Sequence, residues 1–258
     1  MKAETLSLLC HPLTHEPLQL VSADVLKGAS SGDSFRIRAG IPVLLTPQDV
    51  TGANRKYRGL YDTIARGYDL SQNLWGLLTH GGFDKVRAQY LRDVEVRAGD
   101  RVLEVSVGTG GNVWFLPECA DYYGLDISWG MLRQCRRNAR KRRRAIELVC
   151  GSAEHLPFRD GLFDAVFHVG GINFFNDKAR AIGEMIRVAK AGTRIVIADE
   201  EEKVVKASYE RIPFVRRYFQ NRGEPVSAPV GLVPPGMRDL KVEKAVDEKL
   251  YILSFVKV

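Results

Sequence analysis

Apolar and polar positions change their period twice along the chain. Over residues 1–46 the runs LQLVSADVL and FRIRAGIPVLL are short, rich in β-branched residues and split by the turn-forming KGASSGD, which predicts a small β-rich unit. Residues 47–56 are rich in proline, glycine and polar side chains and read as a linker. From Tyr57 to about Leu91 the period becomes helical: Leu60, Ile64 and Tyr68, then Val86 and Tyr90, recur at three- and four-residue intervals. Beyond residue 100, strands and helices alternate. RVLEVSV, DYYGLDI, AIELVCG, GLFDAVFHV and TRIVIADE are five buried-strand runs. GTGGNVWFL is expected to open a helix after the first of them, and SWGMLRQCRRNARK is a helix capped by Ser128. NDKARAIGEMIRVAKAG is a helix with Asn176 as N-cap and Gly192 as terminal glycine, and another helix covers roughly 204–220. LKVEKAV and LYILSFVKV close the chain as a hairpin around Asp247, Glu248 and Lys249.

This alternation predicts an α/β fold: a doubly wound, mostly parallel seven-stranded sheet with a C-terminal antiparallel hairpin, spanning 57–258, plus the small β-rich N-terminal domain. Composition adds little, since 258 residues at 45% hydrophobic and 27% charged are ordinary globular material. No run approaches the ~20 apolar residues that span a bilayer, and the first residues lack a signal-peptide pattern. Four cysteines without a C-x-x-C pair point to a reducing compartment, so the cytoplasm is expected. Charge is more informative. The net charge is +7, yet residues 133–144, RQCRRNARKRRR, hold eight cations and no acid, so the rest of the chain is near neutral.

In a doubly wound sheet the ligand lies beyond the carboxyl ends of the strands, at the switch point beside the first strand. After that strand come Gly108 and Gly110, which permit close backbone approach to a ligand. After the second comes Asp126, placed to accept both hydroxyls of a ribose, and after the third the polar turn GSAEHLPF, which can edge an adenine. An adenosine-containing ligand follows. A dinucleotide is disfavoured, because Val113 stands where its fingerprint needs a third glycine and Glu104 lies inside the strand. A lone G-x-G is a weak signal, and a structural turn is its bland reading.

VLEVSVGTGGN, YYGLDIS, GSAEHLPFRDGLFDAVF and MIRVAKAGTRIVIAD resemble, in order and spacing, the successive motifs of class I S-adenosylmethionine-dependent methyltransferases, over about residues 57–200. Within them, YDTIARGYDL, the Gly170-Gly-Ile-Asn173 turn and DKARAIGEMIRVAKAG resemble the ubiquinone/menaquinone-biosynthesis type. The resemblance implies S-adenosylmethionine as cofactor and S-adenosylhomocysteine as product. It also implies that Glu104 orients the glycine loop and the methionine ammonium, with Gly108 and Gly110 close to the cofactor. Asp126 would bind the ribose, Ile127 would pack on adenine, and Ser152 and Ala153 would meet its edge. His168 would lie beside the methionine portion, and Tyr61 and Tyr68 would cover it. Two departures stand out: Ser106 replaces the family's first glycine, and Ser152 replaces its usual adenine-binding aspartate.

LLCHPLTHEPLQLVS…FRIRAGIPVLL resembles a small zinc-ribbon-like domain that partners tRNA and protein methyltransferases. Cys10, His11 and His15 are its only soft ligands and no second pair follows, so no metal is expected. The arginine run admits RNA or an anionic membrane as partner, but a solvated helix end, distant from the cofactor, is the favoured reading. His168 and Asn173 are the candidate catalytic residues, with His80 and His155 behind them; a sulfonium methyl needs a base only for a neutral acceptor. The chain lacks the Asn/Asp-Pro-Pro-Tyr of nitrogen methylators and a Pro-Cys after the fourth strand. Trp75, Trp114, Phe174 and Phe175 favour a small apolar or aromatic acceptor, methylated on oxygen or carbon, although each could equally be core. An RNA methyltransferase and a non-catalytic cofactor-binding regulator are the alternatives.

Overall fold

The computed structural model describes residues 3–80, 83–208, 213–219 and 225–258, with side chains of the helix ending at His80 described as far as Asp69. A short helix α1 (Ala3–Leu8) leads into four strands, β1 (Leu18–Ser22), β2 (Val25–Gly28), β3 (Ser34–Arg38) and β4 (Ile41–Leu44), paired as an antiparallel meander. Helices α2 (Gly52–His80) and α3 (Phe83–Leu91) follow. Then come β5 (Arg101–Val105), β6 (Asp121–Asp126), α4 (Trp129–Arg142), β7 (Glu147–Gly151), β8 (Ala165–Val169), α5 (Lys178–Val188) and β9 (Arg194–Glu200). Two short helices, α6 (Glu202–Ser208) and α7 (Pro213–Phe219), precede the final hairpin of β10 (Arg238–Ala245) and β11 (Leu250–Val256).

The seven expected strands form the block β7-β6-β5-β8-β9-β11-β10, parallel except that β11 runs antiparallel to both β9 and β10. Strand order reverses around β5, which is the switch point. The sheet itself has eleven strands, not seven. The meander joins it where β4 pairs in parallel with β7, Val43 opposite Cys150 and Leu44 opposite Gly151. An otherwise bare edge is thereby covered. The sharing goes deeper than the ladder. Leu9, Leu26, Phe35 and Leu44 belong to the same apolar cluster as Leu125, Val149, Phe158 and Phe163, so the described residues up to 46 share a core with the rest.

The structure departs from the expected pattern at several places. No α-helix follows β5; a single 3₁₀ turn, Val113–Phe115, stands there. Pro117 forces the preceding Leu116 into extended backbone (ψ 157°), and Gly110 and Gly111 lie just upstream, which leaves room for one turn only. The N-cap of α5 is Asp177, whose carboxylate accepts from the Arg180 N–H, while Asn176 caps α2 by accepting from the Ala53 N–H at 2.7 Å. Gly192, at φ 81°, lies beyond α5 in the turn into β9. The stretch read as a linker is ordered: Thr46 and Asp49 close a capping box on the turn Pro47–Val50, and α2 begins at Gly52. Of the helix expected over 204–220, the described residues form α6 and α7, and 209–212 and 220 lie outside the described residues.

Candidate active site

Each parallel strand of the block ends at the same edge of the sheet, and a cavity of about 750 Å³ opens there. Its floor is the turn after β5. Ser106 (φ 61°), Gly108 (φ 55°) and Gly110 (φ 83°) all take the left-handed backbone region. A Cβ at Gly108 would project into open space, whereas one at Gly110 would strike Trp114 at 2.6 Å and Cys135 at 2.8 Å. Gly108 is therefore the bare approach to a ligand, and Gly110 serves close packing.

Asp126 ends β6 with both oxygens placed by backbone donors: the Gly108 N–H reaches Oδ2 at 2.8 Å and the Ser128 N–H reaches Oδ1 at 2.8 Å. Burial raises its carboxyl to about 6 against the pull of those two hydrogen bonds, with the nearby Asp62 charge adding to the rise. Ile127 lines the cavity beside it. Ser152 and Ala153 line a small adjoining recess that shares Ser106 and Ile127 with the main cavity. Tyr61 and Tyr68, seven residues apart on α2, line the same space with their rings edge-on at 6.2 Å. Burial, together with the neighbouring carboxylates, keeps both phenols protonated.

Four expected residues stand behind the lining. Glu104 is enclosed in β5, accepting from Asn112 Nδ2 at 2.6 Å, while the Tyr90 hydroxyl donates to Asn112 Oδ1 at 2.7 Å. Its Oε2 is buried with no hydrogen-bond partner among the described residues. Burial raises the Glu104 carboxyl to about 8. Gly110 packs under Trp114, as above. His168 is wholly enclosed, its Nδ1 2.9 Å from the Val105 carbonyl and its ring against Phe175 at 5.4 Å. Burial lowers its pKa, so the imidazole is held neutral. Asn173 is a tether: its Nδ2 donates to Asp199 at 3.2 Å and to the Tyr251 hydroxyl at 2.9 Å.

Other expected groups fall elsewhere. His155 pairs with buried Asp49 at 2.6 Å. His11 accepts from the Leu13 and Thr14 N–H groups through Nδ1 and meets Asp33 through Nε2 at 3.0 Å. Trp114, Phe174 and Phe175 line the cavity, whereas the side chains of Trp75 and His80 lie outside the described residues. The expectation that the arginine run lies wholly away from the site is corrected: Lys141 and Arg142, at the far end of α4, line the same cavity. The missing helix after β5 is the physical reason, because the space it would fill under α4 stays open.

Several contributing residues went unnoticed in the sequence. Asp69 accepts from the Thr109 hydroxyl at 2.5 Å and from Asn138 Nδ2 at 2.7 Å, tying α2 to the glycine turn and α4. Asp62 accepts from the Ser128 hydroxyl and the Gly130 N–H, both at 2.7 Å, at the start of α4. The signal was present: Tyr61-Asp62 and Tyr68-Asp69 repeat one dipeptide at a spacing of two helical turns. Asp199 and Glu200, at the end of β9, also line the cavity.

Known proteins share parts of this sequence and of this fold. Residues 103–197 match the methyltransferase-domain family. A demethylmenaquinone methyltransferase of Beutenbergia cavernae is 34% identical over 143 residues, 55% of this chain and 56% of that one. One from Thermobifida fusca is 35% identical over 147 residues, 56% of this chain and 61% of that one. The chain thus spans little more than half the length of these curated relatives. Among solved structures, a SAM-dependent methyltransferase from Aquifex aeolicus superposes with a TM-score of 0.52 at 20% identity, covering 67% of this chain and 89% of that one. Phosphoethanolamine N-methyltransferase 2 of Haemonchus contortus, in complex with S-adenosyl-L-methionine, gives 0.57 at 17% identity, covering 84% of this chain and 61% of that one. These two share the fold.

Proposed function

From the premise that residues 103–197 form an S-adenosylmethionine-dependent methyltransferase domain, we propose that the chain methylates a small apolar acceptor of the quinone kind, on carbon or oxygen. The observation that carries this reading is Asp126. Two backbone donors hold its carboxylate at the rim of the cavity, beside a glycine whose missing side chain leaves the approach open. The residues fit the cofactor on a second count, since Ile127, Ser152 and Ala153 line contiguous space beside that carboxylate, where an adenine would lie.

When bound, S-adenosylmethionine supplies a methyl group on a positively charged sulfur. The protein's part is to bind, orient and exclude water. Asp126 accepts the ribose hydroxyls, and Ile127, Ser152 and Ala153 surround the adenine. Tyr61 and Tyr68 close over the reacting end. Phe174, Phe175 and Phe219 give the acceptor side its apolar wall, and Asp199, steadied by Asn173, is its polar point. Relatives named demethylmenaquinone methyltransferases support a quinone acceptor.

Calorimetric titration with S-adenosylmethionine is the test, with NAD as control. Binding is expected for the former alone, and Asp126→Ala weakens it about 10- to 100-fold, the loss of charge-assisted hydrogen bonds. Incubation with reduced demethylmenaquinone should then add the mass of one methylene to the quinone. Failure to bind S-adenosylmethionine, or a preference for NAD, overturns the reading.

A further inference from the structure

The cavity extends along helix α4. Asp126 and Ile127, just before α4, line it, and so do Lys141 and Arg142 at the last turn. From Trp129 to Arg142 the helix rises about 20 Å, so the space is a channel running under α4. The helix surface is intensely basic from its second turn to its far end, where the cations are densest. Arg133, Arg137, Arg140, Lys141, Arg142 and Arg143 are exposed. Among the described residues none of the six has a carboxylate within ion-pairing distance. Arg144 behaves differently: it donates to the Val113 and Leu116 carbonyls, pairs with Glu118 at 3.2 Å and lies over the Tyr122 ring.

That clamp joins the basic helix end to the 3₁₀ turn carrying Phe115. Phe115 is 43% exposed and is the one exposed aromatic among the described residues. One of its faces is covered by the Arg87 guanidinium, 5.2 Å from the ring centre. Phe115, Lys141 and Arg142 all line this one cavity, and Arg144 ties the basic helix end to the turn that carries the aromatic.

We propose that this end of the molecule docks on an anionic lipid surface and that the channel takes up its apolar acceptor there. The proposal rests on the proposed function only for the apolar character of the acceptor. Charge complementarity carries the rest. Unpaired cations at a helix end are attracted by acidic headgroups, and a single exposed aromatic beside them suits the interface between headgroups and acyl chains. No described helix is long and apolar enough to cross a membrane, so the contact is peripheral. Single-stranded RNA fits less well. It is held by successive stacking platforms, whereas among the described residues one aromatic is exposed and one of its faces is taken.

Cosedimentation of the full chain with vesicles of phosphatidylcholine, with and without phosphatidylglycerol, reads the proposal directly. Binding is expected to the acidic vesicles only and to be lost at high salt. Arg137→Glu with Arg140→Glu, two exposed positions off the channel, should weaken it at least tenfold. Phe115→Ala should weaken it severalfold, and S-adenosylmethionine titration of the same variants confirms that they are folded. Three results overturn the proposal: no vesicle binding, equal binding to neutral vesicles, or binding of an RNA oligonucleotide in place of vesicles. Vesicle binding is read without methyl transfer, so its failure is distinct from failure of the cofactor reading.

Discussion

Ser106 occupies a left-handed conformation, φ 61°, in the turn beneath the cavity. An L side chain there costs about 1–2 kcal/mol, partly regained because serine is less flexible than glycine when unfolded. Ser106→Gly is therefore expected to stabilise the chain by about 0.5–1 kcal/mol in urea unfolding. The substitution was visible in the sequence as a departure from the family's glycine; its conformation was not, because φ depends on how the turn is held by Asp126. Glu104 leads to a pH prediction. Enclosed in β5, it keeps its proton to about 8, against a normal value of 4.5. Below 4.5 both states are protonated and its contribution is full; between 4.5 and 8 only the folded state keeps the proton, so stability declines as pH rises. Asp126, raised from 3.8 to about 6, acts in the same direction over a lower range. The ligand-free chain should show a falling urea midpoint towards pH 8, and Glu104→Gln should flatten that fall. A midpoint unaffected by pH in both proteins would contradict it.

Helix α4 shows what an element owes to its neighbours. Ser128 was legible as its N-cap, and its hydroxyl accepts from the Met131 N–H at 3.1 Å. Asp62 adds a second acceptor from α2; the repeated Tyr-Asp dipeptide marks the residue, but its partner 66 residues away is set by tertiary packing. Asp62→Ala should cost about 1 kcal/mol of stability, the worth of a cap. It should also lower the carboxyl of Asp126, since the Asp62 charge helps to hold it up. NMR titration of the Asp126 carboxyl checks the second effect. The turn after β5 shows the opposite case. Its helical pattern was real, but Pro117 limits it to one 3₁₀ turn, and the unfilled space becomes the channel under α4.

At the scale of the whole molecule, residues 1–46 read as separable in the sequence, yet their apolar side chains share a cluster with the rest. Leu26 is fully buried in the cluster that holds Leu125 and Phe158. Leu26→Ala should cost about 2–5 kcal/mol and lower one cooperative unfolding transition, followed by near-ultraviolet circular dichroism. A separate early transition with the remainder intact would show an independent unit. What the sequence determined by itself is the succession of strands after residue 100, the glycine turn and Asp126, because buried-strand runs and turn residues are local signals. Tertiary structure alone decided that the meander extends the sheet through β4, that Glu104 and His168 lie behind the cavity wall, and that the end of the arginine run reaches the cavity. Each of these depends on contacts between residues far apart in the chain, and hydrophobic burial is indifferent to sequence distance.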